Sequence, residues 1–97
     1  MSSALERLCL EQGIRLTGQR RVIAGVLADA ADHPDAEELY RRASRIDDQI
    51  SLATVYRTLR LFEERGVIAR RDRGDGRARY GFRPDGRGPR HGEAVAP

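Results

Sequence analysis

Ser51-Leu52-Ala53-Thr54-Val55-Tyr56-Arg57-Thr58-Leu59-Arg60-Leu61-Phe62-Glu63-Glu64-Arg65-Gly66 is the stretch on which the fold of this chain turns. Ser51 suits a helix N-cap, because its hydroxyl accepts from an unpaired amide of the first turn. Gly66 suits the stop, because it tolerates the left-handed conformation common there. Leu52, Val55, Leu59 and Phe62 follow the spacing of one helical face. At about 100° per residue, Ala53, Thr54, Arg57, Arg60 and Glu64 fall on the other side, with Tyr56 at the rim. Leu61 points away from the apolar face, beyond a groove or toward a partner. The first two turns thus offer a hydroxyl, a phenol and a guanidinium to the outside. That set predicts a recognition helix for the DNA major groove. Taken alone, the stretch is equally compatible with a plain surface helix carrying arginines on its wet side, and the flanking segments separate the two.

Ahead of it, Asp35-Ala36-Glu37-Glu38 reads as a capping box, Asp35 capping and Glu38 answering three residues on. The helix it opens runs to about Ile46, with Ala36, Leu39, Tyr40, Ala43 and Ile46 inward. Asp47-Asp48-Gln49-Ile50 is the turn into the Ser51 helix. Two helices joined by a short turn, the second polar on its outer face, make a helix-turn-helix unit. Further upstream, Thr17 caps a helix to Ala30 whose inward stripe is Val22, Ile23, Val26, Leu27 and Ala30. Its N-terminus, with Arg20 and Arg21, has the bare amides and positive charge that hold a DNA phosphate. Arg15 stands on the short link before Thr17, where a guanidinium reaches a phosphate or a narrow minor groove. From position alone, a solvated link residue fits as well. Ser3 to Gly13 predicts a first short helix with Leu5, Leu8 and Cys9 on one face.

Downstream the period changes. Val67-Ile68-Ala69-Arg70-Arg71-Asp72 contains a β-branched run, and Gly74-Asp75-Gly76 signals a tight hairpin turn. Arg77 to Phe82 returns as a strand, Ala78 and Tyr80 alternating with Arg77 and Arg79. Arg70, Arg71, Arg73, Arg77 and Arg79 either track a phosphate backbone or keep an exposed hairpin soluble. The whole predicts a mainly α fold with a small β hairpin: a winged helix-turn-helix of four helices and a two-stranded wing over residues 1–82. Residues 83–97 hold three Gly and three Pro with little to bury, which predicts a disordered tail.

Composition bounds the rest. Ninety-seven residues make one small domain burying about 60–65% of its unfolded surface. There is no long apolar run for a membrane span, and Glu6, Arg7 and Glu11 are unlike a signal peptide. Cys9 is the single cysteine, so no internal disulfide forms, which suits the cytoplasm; Cys9 reads as a core residue. The net charge is +3, and residues 67–97 carry eight Arg against four acids. All basic residues apart from the histidines are Arg, whose planar fork suits phosphate and guanine, although coding bias explains the absence of Lys as well.

Four segments, in this order and spacing, resemble the N-terminal domain of the ferric uptake regulator family over roughly residues 5–80. They are Leu16-Thr17-Gly18-Gln19-Arg20, His33-Pro34-Asp35-Ala36-Glu37-Glu38-Leu39-Tyr40, Ile50-Ser51-Leu52-Ala53-Thr54-Val55-Tyr56-Arg57-Thr58-Leu59 and Gly74-Asp75-Gly76-Arg77-Ala78-Arg79-Tyr80. The resemblance implies a sequence-specific, metal-responsive transcriptional repressor that binds an A·T-rich palindromic operator in double-stranded DNA as a homodimer. It implies that Arg15 enters the minor groove, and that Tyr56 meets thymine methyls while Arg57 reads base edges. Thr17, Arg20, Ser51, Thr54 and Arg77 complete the expected DNA-binding set. It also implies a divalent metal, iron(II), manganese or zinc, with His33 at the position of a regulatory ligand. A stable site needs about four to six suitable donors, so His33 would need a borrowed carboxylate such as Asp32 or Asp35. The alternative is a loop histidine and no metal. The family's His-rich hinge and dimerisation region are expected to be absent, since the chain continues Gly81-Phe82-Arg83-Pro84-Asp85 and His91 is the other histidine.

A competing class is a winged-helix protein-interaction module, docking a partner through the Leu61 side, or a truncated regulator without operator binding of its own. An enzyme is not expected: no acid–base pair with a nucleophile, phosphate-cradling glycine loop or metal-ligand cluster is visible.

Overall fold

The computed structural model describes residues 4–72, 74 and 76–82. The expectations on Ser3, Arg73, Asp75, His91 and the 83–97 tail lie outside the described residues. The elements run α1 (Ala4–Glu11), α2 (Gly18–Asp29), α3 (Ala36–Ile46), α4 (Leu52–Glu64), β1 (Ile68–Asp72) and β2 (Ala78–Phe82). Four helices followed by an antiparallel hairpin form the expected winged helix. No helix among the described residues is long and apolar enough to cross a membrane.

Local chemistry sets the helix ends. Thr17, Asp35 and Ser51 each adopt extended backbone and accept from the amide three residues on. Gly66 follows α4 at φ 78°, and its amide donates to the Glu63 carbonyl at 3.0 Å. One core joins all elements: Leu5, Cys9, Ile23, Leu27, Leu39, Val55, Phe62, Val67 and Ile68 are fully covered or nearly so. Burial and the charge of Glu6 push the Cys9 thiol up to about 11, so it is a packing residue at neutral pH.

Several details depart from the sequence reading. Ile46 is 66% exposed; it lies in the last turn of α3, and Ile50 in the following turn is buried instead. Leu61 is half-buried and packs against the core. The buried arc of α4 passes through Thr58, at 3% exposure, and so extends round to Leu61. The capping box is half-formed: Asp35 caps, but the Glu38 carboxylate turns to Arg41 and Arg42, at 2.8 and 2.9 Å on its own helix face. The wing turn is longer than a tight hairpin. Asp72 pairs with Ala78, leaving 73–77 as the connection, with Gly74 and Gly76 both at φ 82°.

Finally, the segment before α3 joins the wing. The Tyr80 amide donates to the Pro34 carbonyl at 3.1 Å, and Asp35 bridges Arg79 in antiparallel fashion. His33, at φ 51°, lays its ring over Gly81, where a Cβ would stand 2.6 Å from Nδ1. A side chain at that position would oblige the His33 ring to move.

Candidate nucleic-acid interface

The interface starts from the N-terminal half of α4. Ser51 Oγ accepts from the Thr54 amide at 3.1 Å and lies 3.0 Å from Thr54 Oγ1. Arg57 Nη2 in turn approaches Thr54 Oγ1 at 3.4 Å. Cap, first turn and guanidinium thus form one polar file along the exposed side. Val55, Thr58, Leu59 and Phe62 bury the opposite side. Because adjacent helical residues diverge by about 100°, burying Val55 drives Tyr56 and Arg57 outward. Tyr56 is 49% exposed and Arg57 is exposed. A phenol and a guanidinium on neighbouring positions can read an apolar methyl and a base-edge acceptor.

A cleft of about 220 Å³ separates this file from the start of α2; it is lined by Thr17, Gln19, Arg20, Thr54, Arg57 and Thr58. Of the predicted residues, Thr17, Arg20, Thr54 and Arg57 therefore meet here, and Ser51 adjoins through Thr54. Thr17 Oγ1 accepts from the Arg20 amide at 3.3 Å. Arg20 Nη1 donates to the carbonyl of Arg15 at 2.7 Å. Arg15 itself is exposed, between buried Ile14 and half-buried Leu16.

On the other side of Tyr56, a groove of about 540 Å³ runs between α4, the start of α3 and the wing. Tyr56, Arg70, Arg77 and Tyr80 line it together with the acids Asp35 and Glu37. Arg77 donates to Asp35 Oδ2 at 2.8 Å, and Glu37 stands 3.9 Å away. The bond from the Glu38 amide, then that from Arg77, hold the Asp35 carboxyl below its ordinary value. Arg79 is half-buried, and its Nε has no hydrogen-bond partner among the described residues. Arg77 therefore turns toward the start of α3 while staying exposed, as Arg70 and Arg71 are. The sequence reading missed this acidic wall, because the contact spans more than forty residues, from Asp35 to Arg77.

The metal expectation meets a different geometry. The carboxylates available to His33 are engaged. Asp32 receives both terminal nitrogens of Arg42, at 3.2 and 2.7 Å, which lowers its pKa. Asp35 is held by the Glu38 amide and Arg77. Among the described residues no three His, Cys, Asp or Glu side chains converge on one point. These residues do not fit a divalent metal, and His33 packs on Gly81 instead.

A core-packed helix with one free polar face, set beside a β wing, defines a winged helix-turn-helix protein. The sequence model of the Ferric uptake regulator family matches residues 11–91. The chain belongs to the ferric uptake regulator family. It is 56% identical over 85 residues to the Ferric uptake regulation protein of Rhizobium leguminosarum bv. viciae, covering 88% of this chain and 60% of that protein. A solved structure of a zinc-bound manganese uptake regulator superposes with a TM-score of 0.81 at 57% identity, over 86% of this chain and 63% of that one. The Vibrio cholerae ferric uptake regulator superposes with a TM-score of 0.72 at 30% identity, over 79% of this chain and 60% of that one. The chain thus spans about 60% of the length of the Rhizobium protein.

Proposed function

We propose that this chain is the DNA-reading unit of a transcriptional regulator, a repressor that recognises an A·T-rich palindromic operator. The observation that carries this reading is the outward pair Tyr56 and Arg57 on a helix whose back is buried. In the proposed complex α4 enters the major groove, and Tyr56 and Arg57 touch base edges. Arg15 enters the minor groove, while Ser51, Thr54 and the Thr17–Arg20 end of α2 border the backbone. Arg77 is presented by the wing. A two-fold operator calls for two copies at a fixed spacing, as in a homodimer. The Vibrio cholerae neighbour is a protein with DNA-binding domains, which supports the same use of this fold. A DNA partner makes the cytoplasm the place of action.

Response to a divalent metal, iron(II), manganese or zinc, belongs to this proposal through family membership alone. No described residue is assigned to the metal. The protein-docking alternative named the Leu61 side, and that side chain is half-buried against the core.

The test is a fluorescence anisotropy titration of a labelled A·T-rich palindromic duplex at two salt concentrations, with and without manganese. Binding is expected to weaken by about 0.9 log unit per log unit of salt for each phosphate neutralised. Binding that is absent, or indifferent to salt, would count against the reading.

A further inference from the structure

The link between α1 and α2 is held from outside at two main-chain carbonyls. Arg65, just beyond α4, donates Nη1 to the Gln12 carbonyl at 2.8 Å. Arg20 donates Nη1 to the Arg15 carbonyl at 2.7 Å. Between these clamps the Ile14 amide returns to the Cys9 carbonyl at 2.9 Å, and the Ile14 side chain is 3% exposed. Leu16 packs on the core edge. With its neighbours on both sides anchored, Arg15 has its backbone fixed and its side chain exposed. Such a link has little conformational freedom left to lose on binding, and the ordering cost that a loose loop imposes is avoided.

Arg20 also lines the cleft that holds Thr54 and Arg57. Its guanidinium therefore stands between the link and the exposed file of α4. A bond from a charged donor to a carbonyl is stronger than a neutral one. This one ties the link to the first turn of α2, which faces the exposed file of α4 across that cleft.

We infer that Arg20 is a positioning residue: by gripping the Arg15 carbonyl it sets where the Arg15 side chain stands relative to Arg57, instead of neutralising a phosphate itself. The inference rests on the DNA-reading function proposed above and names the part Arg20 plays in it. Arg65 acts on the same link from its other end. Since α4 rises about 1.5 Å per residue, Arg65 lies well over 10 Å from Thr54 and away from the reading end.

The experiment is a double-mutant cycle on the full chain, using the labelled A·T-rich palindromic duplex. Arg15→Ala, Arg20→Met, the double variant and Arg65→Gln are compared by anisotropy across a salt series, with circular dichroism to check that each is folded. Arg20→Met keeps the aliphatic stem and removes the donors. In the parent chain it is expected to weaken binding about three- to tenfold, the scale of ordering a short segment. In the Arg15→Ala background it is expected to change neither affinity nor salt slope. Arg65→Gln is expected to weaken binding in the parent chain and to change nothing when combined with Arg15→Ala in a second double variant. A drop in salt slope of about 0.9 on Arg20→Met in both backgrounds would make Arg20 a phosphate ligand and overturn the inference. Additive losses in the cycle would overturn it too, with the DNA-reading function intact. If the parent chain binds no duplex, that function fails first, and the inference with it.

Discussion

Asp35 serves two elements at once. One carboxylate oxygen caps α3 through the Glu38 amide, and the other holds Arg77 of the wing. Asp35→Ala is expected to destabilise the chain by about 1–2 kcal/mol, the usual cost of an N-cap, in urea unfolding followed by circular dichroism. Asp35→Asn keeps an acceptor for the cap and is expected to cost less. The pH dependence follows from the same bonds. Asp32, Asp35 and Glu38 are all lowered in the folded chain, by Arg42, by the Glu38 amide with Arg77, and by Arg41 with Arg42 respectively. A carboxyl lowered by folding adds stability above its unfolded value, and that stability is lost as pH falls through the folded value. Unfolding free energy is therefore expected to hold from pH 7 to 5 and to fall once pH drops below the ordinary values of 3.8 and 4.5. Asp35→Asn should fall less steeply; an equal slope would mean that Asp35 is not a contributor.

At the scale of elements, α4 depends on its stop and its buried back. Gly66 at φ 78° needs the left-handed region, so Gly66→Ala is expected to cost about 1 kcal/mol. Phe62 is fully covered, and Phe62→Ala is expected to cost about 3–5 kcal/mol, a large share of what so small a domain has. Urea midpoints check both. The same helix shows what a sequence discloses. Its ends were legible because a cap and a glycine stop are local chemistry. The burial of Val55, Leu59 and Phe62 was legible because apolar spacing marks a face. Thr58 was not, because a hydroxyl residue breaks the apolar pattern, and missing it misplaced Leu61. Ile46 was misplaced for the converse reason: the spacing is right, but the turn that follows covers Ile50 and not the helix end. The pairing of Pro34 and Asp35 with β2 was illegible, since it joins residues distant along the chain. Among the candidate site residues, the outward aim of Tyr56 and Arg57 followed from the helical period. The engagement of Arg20 with a carbonyl and of Arg77 with Asp35 did not, because guanidinium partners are set in three dimensions.

For the whole molecule, one core ties the wing and all four helices together, so the proposed reading surface is only as firm as that core. Cys9 reports on it directly. Its thiol is fully covered and raised to about 11, so reaction with an aromatic disulfide reagent at pH 8 is expected only as the chain unfolds. Fast labelling of the folded protein would show that α1 opens independently. The larger claim, that Tyr56 and Arg57 read bases from a helix buried on its far side, has a direct test. Duplexes are enriched from a randomised pool by the parent chain. The affinity ratio of an enriched duplex to a scrambled one is then measured for the parent, Tyr56→Ala and Arg57→Ala at fixed salt. Loss of a bidentate arginine contact is worth about 1–3 kcal/mol of discrimination, so the ratio should fall about fivefold or more for Arg57→Ala while circular dichroism is unchanged. A ratio that survives both substitutions in folded protein would contradict the account.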